Sequence, residues 1–70
     1  MAQVSVYYDR TGHTLTVWFG KPADDYEAEE TGDEIILMKD NQGKVIGFEK
    51  LNFLVAEPEP VRVAFETVAA

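Results

Sequence analysis

His13 and Ser5 are the single histidine and the single serine of this 70-residue chain, and together they are its nearest approach to a nucleophilic pair. A hydroxyl of that kind needs a base within hydrogen-bond reach and a third group to orient the base. No Gly-x-Ser-x-Gly elbow surrounds Ser5. His13 follows Gly12 and reads as a solvated turn residue. The densest acidic run, Asp24, Asp25, Glu27, Glu29, Glu30, Asp33 and Glu34, could in principle collect Mg²⁺ or Ca²⁺. Calcium loops, however, place oxygen ligands alternately around a glycine and close with a glutamate, an order absent here. The run reads instead as a solvated acidic face. No pair is singled out among the thirteen acids for proton transfer. The glycines stand apart, without a phosphate-cradling loop. Tyr7, Tyr8, Trp18, Tyr26 and Phe48 could line a pocket, but in so short a chain they read as core. Catalytic residues, metal ligands and cofactors are therefore all expected to be absent.

Composition narrows the partners. Lys and Arg number six, scattered singly, and the formal net charge is −7. Nucleic-acid binding needs clustered cations to replace counterions along phosphates, so it is not expected. The same field would favour encounter with a basic protein partner and resist self-aggregation. There are no cysteines, so neither a disulfide nor a thiolate metal site can staple the fold. A core of this size rarely supplies more than about 3–5 kcal/mol of net stability. Oligomerisation is the remaining staple, and a homodimer is expected. No apolar run approaches membrane-spanning length, and no basic-then-apolar leader opens the chain, so the cytoplasm is the default compartment. The whole, residues 1–70, is expected to form one small domain.

The elements that must carry these residues centre on Glu34 to Leu51, which reads as two apolar strands joined by a tight turn. Asp40 opens the turn and Gly43 supplies a positive φ, which suits a type I turn closed by a glycine bulge. With Asn41, Gln42 and Gly43 as the loop, Lys39 falls opposite Val45, Met38 opposite Ile46, Ile36 opposite Phe48 and Glu34 opposite Lys50. Ile36, Met38, Ile46 and Phe48 then share one face as core, and Ile35, Leu37 and Val45 lie on the other as interface. A hairpin apolar on both faces belongs at a sheet centre or in an interface.

Upstream, Val4, Val6 and Tyr8 alternate with Ser5 and Tyr7, which predicts a strand. Asp9-Arg10-Thr11-Gly12 repeats the Asp-x-x-Gly turn, and Thr14 to Phe19 alternates again. A four-residue loop pairing Val6 with Leu15 and Val4 with Val17 would collect these aliphatics on one face as further core, whereas a three-residue loop would pair Val4 with Trp18 and swap the faces. Gly20 to Asp25 has the breakers of a connection. Tyr26 to Thr31 predicts a short acidic edge strand, whose charge discourages unwanted pairing. Pro58 and Pro60 interrupt the chain after the hairpin. The tail, Val61 to Val68, fits strand alternation, and its β-branched residues favour a strand over the alternative of a short helix. Such a strand should pair with an exposed edge, in its own chain or in a partner's. The expected fold is mainly β, an antiparallel meander of five or six strands built from two Asp-x-x-Gly hairpins.

Tyr8-Asp9, Leu15-Thr16-Val17, an acidic strand, Glu34-Ile35-Ile36-Leu37 and the segment from Asp40 through Gly43, Val45-Ile46-Gly47-Phe48-Glu49 to Leu51 resemble the domain-of-unknown-function 2283 family. The resemblance covers roughly residues 4–52 and leaves 53–70 as an extension. Gly32-Asp33 stands where members usually read Asp-Gly, and Lys39 where an acid is common. The resemblance implies a small, mainly β, bacterial-type protein without an established activity. Some members resemble antitoxin partners encoded beside small toxins, which implies an alternative role as an acidic inhibitor masking a basic toxin.

Overall fold

The computed structural model describes residues 3–56 and 59–69. They contain five strands, β1 (Val4–Asp9), β2 (Thr14–Phe19), β3 (Glu27–Glu30), β4 (Ile35–Lys39) and β5 (Val45–Lys50), and no helix. All four pairings are antiparallel, and the sheet order is β1-β2-β5-β4-β3. The connection between β2 and β3 carries the chain to the far edge. From there β3, β4 and β5 return strand by strand until β5 docks on β2. The central hairpin thus supplies the middle strand, β5, and its neighbour, as its double-sided apolar pattern requires. The acidic segment forms the edge strand β3, with all four residues exposed.

Turn chemistry fixes where pairing starts. The Asp9 carboxylate accepts hydrogen bonds from the backbone N–H of Thr11 (2.9 Å) and Gly12 (3.1 Å). His13 then takes a left-handed φ of 55°. The loop therefore spans Arg10 to His13, and pairing begins at Asp9 with Thr14. Val6 faces Val17 and Val4 faces Phe19, two residues beyond the expected register. A shift of two preserves the side-chain faces, so Val4, Val6, Leu15 and Val17 still share one.

The second hairpin departs by a single residue, which does change faces. Its loop is Asn41 to Gly43 as expected. Asp40 N–H donates to the Lys44 carbonyl (2.9 Å), Gly43 N–H to the Asp40 carbonyl (3.1 Å), and Gly43 has φ 79°. Lys39 pairs with Val45 as expected, but a bulge follows, and Met38 pairs with Gly47 instead of Ile46. Leu37 then faces Phe48, Ile36 faces Glu49, and Ile35 takes the place opposite Lys50 expected for Glu34. Ile46 is the extra residue. Phe48 therefore leaves the face of Ile36 and Met38 and joins that of Ile35 and Leu37.

The reason lies at Gly47, which pairs with Trp18 on one side and Met38 on the other. A β-carbon there would lie 3.0 Å from Met38 Cε and 3.2 Å from Trp18 Cε3. The two large side chains fill the space that the glycine leaves, and Tyr26 packs edge-on against Trp18 at 5.3 Å between ring centroids. Trp18 and Met38 are the buried apolar side chains among the described residues. The expected core members Leu15, Val17, Ile36, Ile46 and Phe48 are half-buried. Val4 (45%) and Val6 (36%) are exposed, because β1 is an edge strand with little laid over it.

After Leu51 the chain is tied back by two backbone bonds, Leu51 N–H to the Glu34 carbonyl (2.7 Å) and Phe53 N–H to the His13 carbonyl (2.8 Å). Phe53 packs edge-on against Tyr8 at 5.8 Å. The expected sixth element is not formed: residues 59–69 hold neither strand nor helix. Pro58 lies outside the described residues. The tail's alternation is genuine, but a strand needs a neighbour, and this segment joins no ladder.

Two carboxylates are held more acidic in the folded sheet than in a free chain. Asp40 Oδ1 accepts from the backbone N–H of Lys44 and of Gln42, both at 2.9 Å, which holds its pKa below the ordinary 3.8. Glu34 is held below 4.5 by hydrogen bonds from Lys50 and Asn52 and by the Lys50 charge. A carboxylate depressed in the folded state adds stability above its unfolded pKa and loses it as pH falls through the folded value. The melting temperature should thus be level above about pH 5 and fall steadily below about pH 4. Asp40→Asn keeps the oxygen acceptor without the charge, so its acid limb, followed by circular dichroism, should be shallower. A limb identical to the wild type would rule Asp40 out as a contributor.

Candidate interaction surface

The register sorts the strands into two unlike faces. On one, Trp18 and Met38 close over Gly47, with Tyr7, Ala28 and Ile36 beside the polar Ser5, Asp9, Thr14, Thr16, Glu49 and Glu30. Thr16 Oγ1 donates to Glu49 Oε2 at 3.2 Å. The other face carries Val4, Val6, Tyr8, Leu15, Val17, Phe19, Ile35, Leu37 and Phe48, with Lys50 between Leu15 and Ile35. It ends in charge at the β3 side, where Lys39 Nζ meets Glu29 Oε1 at 3.0 Å. An apolar field with a charged rim on one side is the anatomy of a contact surface.

This field is poorly covered. Phe19 is 53% exposed although it approaches Phe48 at 6.1 Å. Arg10 reaches the C-terminal segment by donating from Nη2 to the Glu59 carbonyl (2.8 Å), and its guanidinium stands 5.7 Å from the Tyr8 ring centroid. Beyond that tether, Val63, Phe65 and Thr67 face Gln3, Val4 and Val6 across an open groove of about 540 Å³. Val63 and Phe65 are 63% and 76% exposed. The total accessible surface, 5786 Å² for 7.9 kDa, exceeds the value of about 4400 Å² that a folded monomer of this mass should show.

Of the expected interface residues, Ile35 and Leu37 lie on the apolar face, both half-buried. Val45 lies opposite Lys39 beside the bulge, at 37% exposure. Phe48 and Phe19, which alternation did not group with Ile35 and Leu37, share their face. The lone glycine in an apolar strand was the available signal, since such a glycine often marks a bulge. The residues considered for chemistry do not converge. His13 is exposed in the β1–β2 turn, whereas Ser5 pairs with Trp18 toward the other end of that hairpin and accepts a bond from Gln3 Nε2 (3.2 Å). Among the described residues no three His, Asp or Glu side chains gather as a metal ion requires. Among the same residues no helix is long and apolar enough to cross a membrane.

The family described as "Protein of unknown function (DUF2283)" matches residues 5–53, most of the chain. The chain belongs to the DUF2283 family. The DUF2283 match begins within β1 and ends at Phe53, the residue that docks on Tyr8, so it takes in the five-stranded sheet and leaves out the C-terminal segment. No curated protein and no solved structure matches the chain. The DUF2283 description assigns no activity, and the candidate site of this member rests on its own surface.

Proposed function

We propose that this protein is a non-catalytic interaction or structural domain that acts as a homodimer through the apolar face of its sheet. The observation that carries this reading is the uncovered field around Val4, Val6 and Phe19, exposed at 45%, 36% and 53%. A standard stable interface buries about 800 Å² on each partner. A two-fold axis presents the same surface of both copies to each other, so the contact is self-complementary. Sedimentation at micromolar concentration tests the reading. The expected species has twice the 7.9 kDa chain mass, and a single species at 7.9 kDa refutes the dimer. Because both copies are acidic, added salt should tighten the dimer by screening their repulsion.

The opposite edge favours a second reading, an acidic inhibitor that masks a basic protein. Glu27, Glu29 and Glu30 of β3 are exposed, with Asp24, Asp25 and Asp33 in the flanking segments. Binding there would weaken with salt, the opposite trend from self-association. A pull-down from the native host that repeatedly returned a small basic protein, released by salt, would support it.

A further inference from the structure

We propose that the groove between β1 and the C-terminal segment seats residues 61–69 of a second copy, so that the dimer forms by reciprocal exchange of these tails. The inference rests on the homodimer reading and specifies its geometry. Three features meet at this groove. First, β1 is the sheet edge left open. The other edge, β3, is protected by glutamates, but the exposed residues of β1 include Val4, Val6 and Tyr7. An uncharged edge offers unpaired N–H and C=O groups to any extended segment.

Second, residues 61–69 have the alternation of a strand without a ladder to join. Val63, Phe65 and Thr67 point to the groove, and Val68 is 87% exposed. Arg10 holds Glu59 beside the end of β1, so the tail runs back along β1 toward Gln3 yet stops short of pairing with it. The gap of about 540 Å³ between them is where the same segment from a partner would complete both walls. A two-fold axis then places each tail between the other copy's β1 and tail.

Third, charge steers a second copy to this side. Asp24, Asp25, Glu27, Glu29, Glu30, Asp33 and Glu34 lie on or beside the β3 edge, whereas the groove is lined by uncharged residues. Two chains of net charge −7 meet with least repulsion when those acidic edges point apart. A small molecule suits the groove less well. Ligand pockets enclose most of their guest's surface, whereas this groove lies open to solvent.

Engineered cysteines provide the test, since the chain has none of its own. A Val6→Cys chain carrying a size tag is mixed with an untagged chain bearing Val63→Cys, Phe65→Cys or Thr67→Cys, then mildly oxidised. The three tail positions allow for register. A covalent tagged–untagged dimer should be the main product for at least one of them. Val6→Cys with Glu29→Cys, at the far edge, is the control and should give little. Phe65→Asp should weaken the dimer by about tenfold or more, with the melting cooperativity of the sheet retained. A wild type that sediments as a dimer but yields no such cross-link overturns the exchange and leaves the homodimer standing. A wild-type monomer overturns both. Exchange is also overturned if a Val6→Cys/Phe65→Cys chain closes its disulfide within one copy at micromolar concentration.

Discussion

Replacing Trp18 by alanine should leave a chain without a cooperative melting transition. Trp18, at 8% exposure, and Met38, at 4%, are the only apolar side chains of the described residues that are buried. Truncating a buried tryptophan costs about 3–5 kcal/mol, because the removed ring leaves a cavity as well as lost contacts. A core of this size yields about the same total, 3–5 kcal/mol, so nothing would remain to hold the sheet. Tyr26 would also lose the ring it packs against. The expected far-UV circular dichroism is that of an unfolded chain at room temperature, at micromolar concentration. Trp18→Phe keeps an aromatic ring over Gly47 and should retain a transition at lower temperature. A sharp, nearly native melt for Trp18→Ala would show that stability resides elsewhere, in the apolar face or in assembly.

Gly47→Ala should be nearly as damaging, and its sign is informative. Glycine inside a strand ordinarily costs about 0.5–1 kcal/mol relative to alanine, so the substitution would stabilise an open site. Here the new methyl would stand 2.6 Å from the Val17 carbonyl oxygen, closer than a β-carbon can approach. That oxygen belongs to the backbone of a paired strand and cannot move aside alone. Overpacking of this kind costs about 2–3 kcal/mol, which lowers the melting temperature by roughly 10–20 °C. Met38→Ala in the same chain removes the 3.0 Å contact with Met38 Cε but not the carbonyl clash, so it should not restore stability. A Gly47→Ala protein as stable as the wild type would mean that β2 and β5 approach less closely than described.

Gly47 also links fold to assembly. By drawing Trp18 and Met38 to one side, it places Phe48 on the other, beside Leu37, Val17 and Phe19. The bulge thereby leaves the opposite face with more apolar surface than one chain covers. Exchange of the C-terminal segments would satisfy that surplus and the open edge of β1 together.

The local chemistry of this sequence was enough to mark the five strands that form and the acidic edge among them. Asp9 and Asp40 each bind backbone N–H groups within a few residues, so both turns are set by neighbours in the chain. The alternation of Val4 to Tyr8 and Thr14 to Phe19 follows from the period of the backbone itself, and the unbroken apolar run Ile35 to Met38 marks a strand covered on both sides. The glutamates of β3 likewise marked it as an edge. Tertiary structure alone decided the rest. Whether β5 pairs in register or bulges depends on Trp18 and Met38, which reach Gly47 from two different strands. The strand order depends on β2 meeting β5 across some thirty residues of chain. Residues 61–69 have the pattern of a strand, but no pattern can supply the neighbour that would make them one.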